Sequence, residues 1–252
     1  MTTHLVWLRN DLRINDNLAL HAACTQPDAR VIALFIATPG QWQQHEMAAR
    51  QVAFIHQSLD MLQSSLAERG IPLHFHQCDD FAASIDFLVG FCQKQQVDKL
   101  FYNYQYEVNE RERDASAEKR LHEANVVCQG FDDSLLLPPG SIQTGDGEMY
   151  KVFTPFSKAF LRRLQQGLPE CVPAPKAREG TPLKEPKSLP PFDYPKADID
   201  TSLFPPGEQA AVKRLREFAK QAVLDYAKQR DLPALDSTSR LSVYLSTGVL
   251  SP

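Results

Sequence analysis

The chain has 252 residues, 43% of them hydrophobic and 23% charged, with a formal net charge of −4. That balance predicts a soluble globular protein with length for one large domain or two small ones, and a chain this acidic lacks the basic footprint of a stand-alone nucleic-acid binder. Any nucleic-acid contact then has to come from a local patch or from residues outside the chain.

No apolar run approaches the ~18 residues of a membrane span, and the N-terminus lacks the basic and apolar regions of a signal peptide. Cys24, Cys78, Cys92, Cys128 and Cys171 are scattered, with no Cys-x-x-Cys pair. An odd count at unrelated spacings predicts reduced, mostly structural thiols in a cytoplasmic protein.

His4 to Leu8 is a short apolar run that predicts a buried strand. Asp16-Asn17 then offers a side-chain cap for a helix carrying Leu18, Leu20 and Ala22-Ala23. The loop between them has no glycine and alternates charge through Arg9, Asp11, Arg13 and Asp16. By spacing alone it is an ion-paired loop that holds the first turn together.

Val31 to Ile36 is a second buried strand, followed by the loop Ala37 to Met47 with Trp42 and His45. An amphipathic helix runs to about Arg69, with Phe54, Leu59, Leu62 and Leu66 at helical spacing and Gly70 as its stop. Ile71 to His76 is the third strand; its His74 and His76 share a face, as a metal pair lacking an evident third ligand or as solvated or capping residues. Asp79-Asp80 caps a helix through Phe87, Leu88 and Phe91.

Lys99 to Tyr104 is the fourth strand, and a charged helix from about Asn109 to Glu123 reads as a solvent face laced with i,i+4 pairs. Val126 to Cys128 begins a fifth strand. Unbroken strand–helix alternation predicts an α/β, doubly wound, five-stranded parallel (Rossmann-like) sheet with helices on both faces. Ligands of such a sheet bind at the carboxyl ends of its strands.

Past the sheet, Glu148 to Phe156 leads into a helix with Thr154 as N-cap, Pro155 at its first position and Gly167 as its stop. Ten of the 18 prolines fall between Pro169 and Pro206, which predicts a long extended linker wrapped on a surface. Gly207 to Arg230 reads as one helix with Val212, Leu215, Phe218, Ala222 and Tyr226 along a stripe. The expected organisation is therefore 1–135, 136–206 and 207–252.

Two stretches carry chemistry. Thr238-Ser239-Arg240-Leu241-Ser242 sets small hydroxyls around one arginine at the start of a helical pattern, as an anion site or as an ordinary Ser/Thr N-cap. Asn109-Glu110, at the carboxyl end of the fourth strand, pairs an amide with a carboxylate. That pair suits the donor edge of a pterin or amide heterocycle, or else caps a helix. Asp79-Asp80 and Asp132-Asp133 have no convergent partner and read as caps or turns.

Trp7-Leu8-Arg9-Asn10-Asp11-Leu12-Arg13, followed by Asp16-Asn17, resembles the N-terminal signature of the DNA photolyase/cryptochrome family. The Asn-Glu run (Asn103 to Glu110), Tyr-Lys-Val-Phe-Thr-Pro-Phe (Tyr150 to Phe156), the proline linker and Thr-Ser-Arg-Leu-Ser follow in the family's order, so the resemblance covers the chain from Trp7 to Pro252. It is closest to the folate-antenna, enterobacterial-type class I branch that repairs cyclobutane pyrimidine dimers.

The resemblance implies FAD held by residues that include Tyr226, Thr238, Ser239, Arg240, Leu241 and Ser242. It implies a 5,10-methenyltetrahydrofolate antenna at His45, Asn109 and Glu110. Val243 departs from the proline often seen there in the wider family, at a position that does not contact the cofactor. Residues 1–135 correspond to an antenna-binding α/β domain, 136–206 to the interdomain connection, and 207–252 to the start of a truncated all-α FAD-binding domain.

By the same resemblance the intact protein is a light-driven lyase, a monomer with no membrane role, which meets UV-damaged DNA through a missing C-terminal half. The fragment alone is expected to be inactive, with no catalytic or metal-ligating residue of its own. Leu241, Tyr244, Leu245, Val249 and Leu250 are expected to lack partner helices. Two rivals remain: a cryptochrome-type photoreceptor without repair activity, and an adenine-nucleotide-binding α/β domain, which usually shows the glycine-rich phosphate loop that Arg9 to Asn17 lacks.

Overall fold

A computed structural model describes residues 1–178 and 187–252. The five predicted strands form as β1 (Thr3–Leu8), β2 (Arg30–Ala37), β3 (Leu73–Gln77), β4 (Lys99–Asn103) and β5 (Val127–Phe131). All neighbours are parallel, in the order β3-β2-β1-β4-β5. The side-chain period of two sorts the central strands between two cores. Val6, Leu8, Val31, Ala33, Phe35 and Phe101 face one, and Leu5, Trp7, Ile32, Leu34, Leu100 and Tyr102 face the other.

Helices α1 (Leu18–Cys24) and α3 (Ala49–Ala67) close the first core, while α4 (Phe81–Gln95) and α5 (Val108–Glu123) close the second. Asn17 caps α1 by accepting from the Leu20 N–H, and Asp80 caps α4 by accepting from the Ala83 N–H. Past the end of α3, Gly70 takes a φ of +71°, which a glycine adopts without Cβ strain. The chain moves outward from β1 through β2 to β3, then returns to place β4 on β1's other side. The crevice at that reversal lies at the strands' carboxyl ends. Among the described residues no helix is long and apolar enough to cross a membrane.

Several expectations are corrected. The stretch Ala37 to Met47 contains a short helix, α2 (Pro39–Gln44), with Pro39 in its first turn, where a missing N–H does no harm. The third strand starts at Leu73, because Ile71 is buried in the core ahead of Pro72 and outside the ladder. Helix α6 (Phe153–Gln165) is preceded by Val152 as its N-cap, so Thr154 and Pro155 lie inside the first turn and Thr154 makes no cap.

The predicted long helix is two, α7 (Glu208–Lys220) and α8 (Ala222–Gln229), broken at Gln221 with φ −127° and ψ −67°. Helix α5 is not merely a solvent face. It buries Arg113, Asp114, Ala117 and Leu121. His74 and His76 are half-buried and cap no helix: their rings pack on Phe91 and Phe87, the second pair stacked at 3.5 Å.

The predicted linker, Pro169 to Pro206, falls partly outside the described residues. Its described parts have no helix or strand and lie against the sheet domain. Val172 exchanges hydrogen bonds with Asp16, and the Arg178 guanidinium donates to the carbonyls of Gln26, Pro27 and Ala29. Phe192 is inserted among Phe35, Trp42, His56 and Phe75.

The final residues also find partners within the chain. Leu241, Tyr244, Val249 and Leu250 are buried in the same core as β1, β2 and α3, with Tyr244 edge-on to Phe54 at 5.6 Å; only Leu245 of that group is exposed. Helix α9 (Ser242–Ser246) carries this contact.

Candidate functional site

The charged loop after β1 is ion-paired, but with distant residues. Arg9 donates to Asp114 Oδ1 at 2.8 Å and to the Asn103 carbonyl. Arg13 reaches Asp133, the Asp16 carbonyl and the Gly248 carbonyl. Within the loop, Asp11 accepts from the Arg9 N–H at 2.6 Å. Asp133 is therefore more than a turn residue, since its other oxygen accepts from the Leu18 N–H at the start of α1. Burial raises its carboxyl above the ordinary value, with Arg13 acting in the opposite direction.

The loop thus fastens β1, β4, β5 and the last turn of the chain together, and its first residues border a cleft. The cleft opens at the carboxyl ends of β1, β2 and β4. Its floor is Trp7, Arg9 and Phe35; Trp42 and His45 come from the β2 side, Phe81 from the start of α4, and Gln105, Glu110 and Arg113 from beyond β4.

Arg9 and Arg113 lie over the Trp7 ring with guanidinium carbons 4.7 and 4.8 Å from its centroid. Both bond the same oxygen of Asp114, Arg113 at 2.7 and 2.9 Å. Two buried cations thus share one carboxylate. Burial, then repulsion from Arg9, pulls Arg113 down to about 10, with Asp114 opposing both.

The structure brings together the three residues named for one site. Asn109 Nδ2 stands 3.2 Å from His45 Nε2, although the two are 64 residues apart. Glu110 and His45 line the cleft, and Asn109 and His45 line its outer lip with Gln41, Gln44 and Glu112. Asn109 lies in the first turn of α5, whose N-cap is Glu107, so its amide is free to face His45. Glu110, also in that turn, lies where the helix dipole favours a carboxylate.

The second group is less gathered. Arg214 donates to the carbonyls of Thr238 and Ser239, both at 2.9 Å, and so fixes the bend that presents this segment. Arg240 has a φ of +54° and pairs with Asp236 at 3.0 Å. Thr238 and Ser242 are exposed, Ser239 and Arg240 half-buried, and Leu241 is buried in the core. Leu241 supplies the backbone cap of α9, whose start no hydroxyl caps. Tyr226 lies edge-on to Phe218 at 5.8 Å, with Arg230 over its ring.

Sequence reasoning missed Trp7, Arg9, Trp42, Phe81, Gln105 and Arg113 as cleft residues. A usable signal was position: Trp7 and Arg9 are the last strand residue but one and the first loop residue of β1, the place where an open sheet exposes side chains to a ligand. Arg113 gave none, because a cation inside a charged helix looks solvated.

The family model described as DNA photolyase matches residues 4–176. Over all of its length the chain is 55% identical to the deoxyribodipyrimidine photo-lyase of Salmonella typhimurium and 54% identical to that of Escherichia coli, in each case covering 53% of the relative. The chain thus spans about half the length of these curated relatives. It also resembles a class III photolyase from Agrobacterium tumefaciens, with a TM-score of 0.76 at 26% identity, over 100% of this chain and 51% of that one.

Proposed function

The chain belongs to the DNA photolyase family, and from that premise we propose that it is the antenna-binding part, with the first of the flavin-binding part, of a light-driven enzyme that repairs cyclobutane pyrimidine dimers in DNA. The division at 1–135, 136–206 and 207–252 belongs to the same reading. The observation that carries it is the meeting of His45, Asn109 and Glu110 at one cleft, on elements far apart in sequence.

The donor set fits a reduced-folate antenna. Glu110 is an acceptor for the N–H edge of a pterin, Asn109 supplies both a donor and an acceptor, and Trp42 offers an apolar ring beside them. Arg9 and Arg113 are held in the floor by their shared bonds to Asp114. Phe192 packs edge-on against Trp42, with 5.2 Å between the ring centroids, and so backs that ring.

For FAD, the fit covers one wall. Thr238, Ser239 and Ser242 supply hydroxyls and Arg240 a charged fork, a chemistry suited to a diphosphate. Tyr226 supplies an aromatic surface. When bound, the folate absorbs light and reduced FAD supplies the electron that opens the dimer. The chain's own residues bind, orient and exclude water; none is assigned an acid–base or nucleophilic role.

The substrate is UV-damaged DNA, whose dimer is more easily taken out of the stack than an intact base. The test is illumination of the whole cofactor-loaded protein with a dimer-containing oligonucleotide. Light-dependent recovery of intact thymines is expected. Flavin and folate binding without any recovery would replace this reading with a photoreceptor.

A further inference from the structure

His45 and Asn109 meet through one hydrogen bond whose polarity depends on the state of the ring. Asn109 Nδ2 donates and His45 Nε2 accepts at 3.2 Å, so the neutral imidazole carries its proton on Nδ1. Among the described residues neither side chain makes another hydrogen bond. Both are exposed, and the N-cap of α5 is Glu107, so Asn109 caps nothing. The amide of Asn109 can therefore turn over without breaking any other bond.

Arg9, Glu110, Glu112 and Arg113 share the cleft or its lip with His45, and Glu46 follows it in the chain. Among the described residues none of these forms an ion pair with its ring. They bear on the pH at which the ring takes up a second proton. They do not change which ring atom faces Asn109.

We propose that His45 is a positioning residue that acts through Asn109: its proton decides whether Asn109 shows the ligand an acceptor or a donor. The neutral ring holds Nδ2 and leaves Oδ1 for the ligand. Once both ring nitrogens are protonated, Nε2–H faces Nδ2, donor against donor. Turning the amide brings Oδ1 to the ring and leaves Nδ2 for the ligand.

The Glu110 carboxylate accepts in both states. With His45 neutral, the pair Asn109–Glu110 offers two acceptors, which suits a ligand edge with two donors, the ring N–H and 2-amino group of a 2-amino-4-oxopteridine. With His45 protonated it offers a donor and an acceptor, which suits an edge where oxygen replaces the amino group. This inference rests on the folate reading above and adds the group that selects the heterocycle.

The test uses the whole protein with FAD bound and folate removed. The probes are folic acid and its analogue with oxygen in place of the 2-amino group. Dissociation constants are measured from about pH 7 down to about 5.5, within the range where histidine changes charge. The parent's preference for folic acid over the analogue should shrink by about tenfold on acidification, the effect of one hydrogen bond reversed at each end of the range. His45→Gln, whose side-chain carbonyl accepts from Asn109 at any pH, should keep the neutral preference throughout. In the ligand-free protein, the side-chain amide NMR signal of Asn109 should titrate with the His45 ring, and it should stand still in His45→Gln.

A preference that does not change with pH overturns the proposal, and so does a change that survives in His45→Gln. An Asn109 amide signal indifferent to the His45 proton overturns it as well. Failure of folic acid to bind the parent counts against the folate reading instead, and the NMR titration then still decides whether His45 turns Asn109.

Discussion

Asn109 Nδ2 and His45 Nε2 stand 3.2 Å apart across the lip of the cleft, one on α5 and the other at the end of α2. This contact joins the segments that follow β2 and β4, and Glu110 lies one residue from it. If the cleft holds the folate, Glu110→Gln replaces a charge-assisted acceptor with a neutral amide. Folate retention should weaken by about 1.5–3 kcal/mol, roughly tenfold or more. Near-ultraviolet absorbance of the purified protein reads this directly, and unchanged folate content would count against the assignment.

Arg240→Ala should lower FAD retention in the whole protein by a similar roughly tenfold factor, because a phosphate loses a charged donor. Fold stability should hardly change. The partner of Arg240 is Asp236, whose side chain is 54% exposed, and such surface pairs contribute little. Flavin content after gel filtration and a denaturation curve separate the two effects. Full flavin content would remove Arg240 from the site.

Burial lowers the pKa of both His74 and His76, with Arg30 adding to the effect at His74. Their folded values lie below the unfolded value of 6.5. Between the two values the unfolded chain binds more protons, so stability rises with pH in that window. It is full above about 6.5 and falls as protonation begins below that value. The melting temperature should therefore drop on acidification through this range, and His74→Gln/His76→Gln should flatten the drop. Equal slopes for the parent and the variant would show that other groups govern the acid limb.

The sheet was legible because its central strands are apolar runs with β-branched residues, bounded by turns, as in Val31 to Ile36. Asn17 and Asp80 were readable caps for the same local reason. The break at Gln221 was not legible. Val212, Leu215, Phe218, Ala222 and Tyr226 keep helical spacing across it, and neither glycine nor proline marks it. The helix at Pro39 was signalled by Thr38-Pro39 but is too short for periodicity to show.

At the site, Asn109 and Glu110 offered an amide beside a carboxylate at a strand's carboxyl end, which suits a heterocycle or a helix cap alike, and the family resemblance chose between them and named His45. Arg9 and Arg113 were hidden by their company: each belongs to a charged stretch, and their common partner Asp114 becomes visible only once β1 and β4 are adjacent. The burial of Tyr244 and Val249 was hidden likewise, since Phe54, which meets Tyr244, and the rest of the core they join lie far back in the chain.

Gly248 shows how tightly the last turn is fastened to the loop after β1. Its φ is +64°, and a Cβ built there would overlap the Asn10 carbonyl oxygen. Its own carbonyl accepts from Arg13 Nη1 at 3.1 Å. A left-handed conformation costs a non-glycine residue about 1 kcal/mol or more, and here the clash is with backbone, which side-chain rotation does not relieve. Gly248→Ala should therefore destabilise the chain by more than about 2 kcal/mol, read as a lower denaturant midpoint. Arg13→Gln, which leaves Asp133 buried without its cation, should cost about 3–5 kcal/mol. Both changes act on the same contact between Asn10–Arg13 and residues 247–251, so the double variant should be less destabilised than the sum of the two. Because Asn10 also borders the cleft, Gly248→Ala should weaken folate retention although Gly248 does not line it. A Gly248→Ala chain within about 0.5 kcal/mol of the parent would mean that the last turn detaches at little cost, and the coupling between it and the cleft would fall with it.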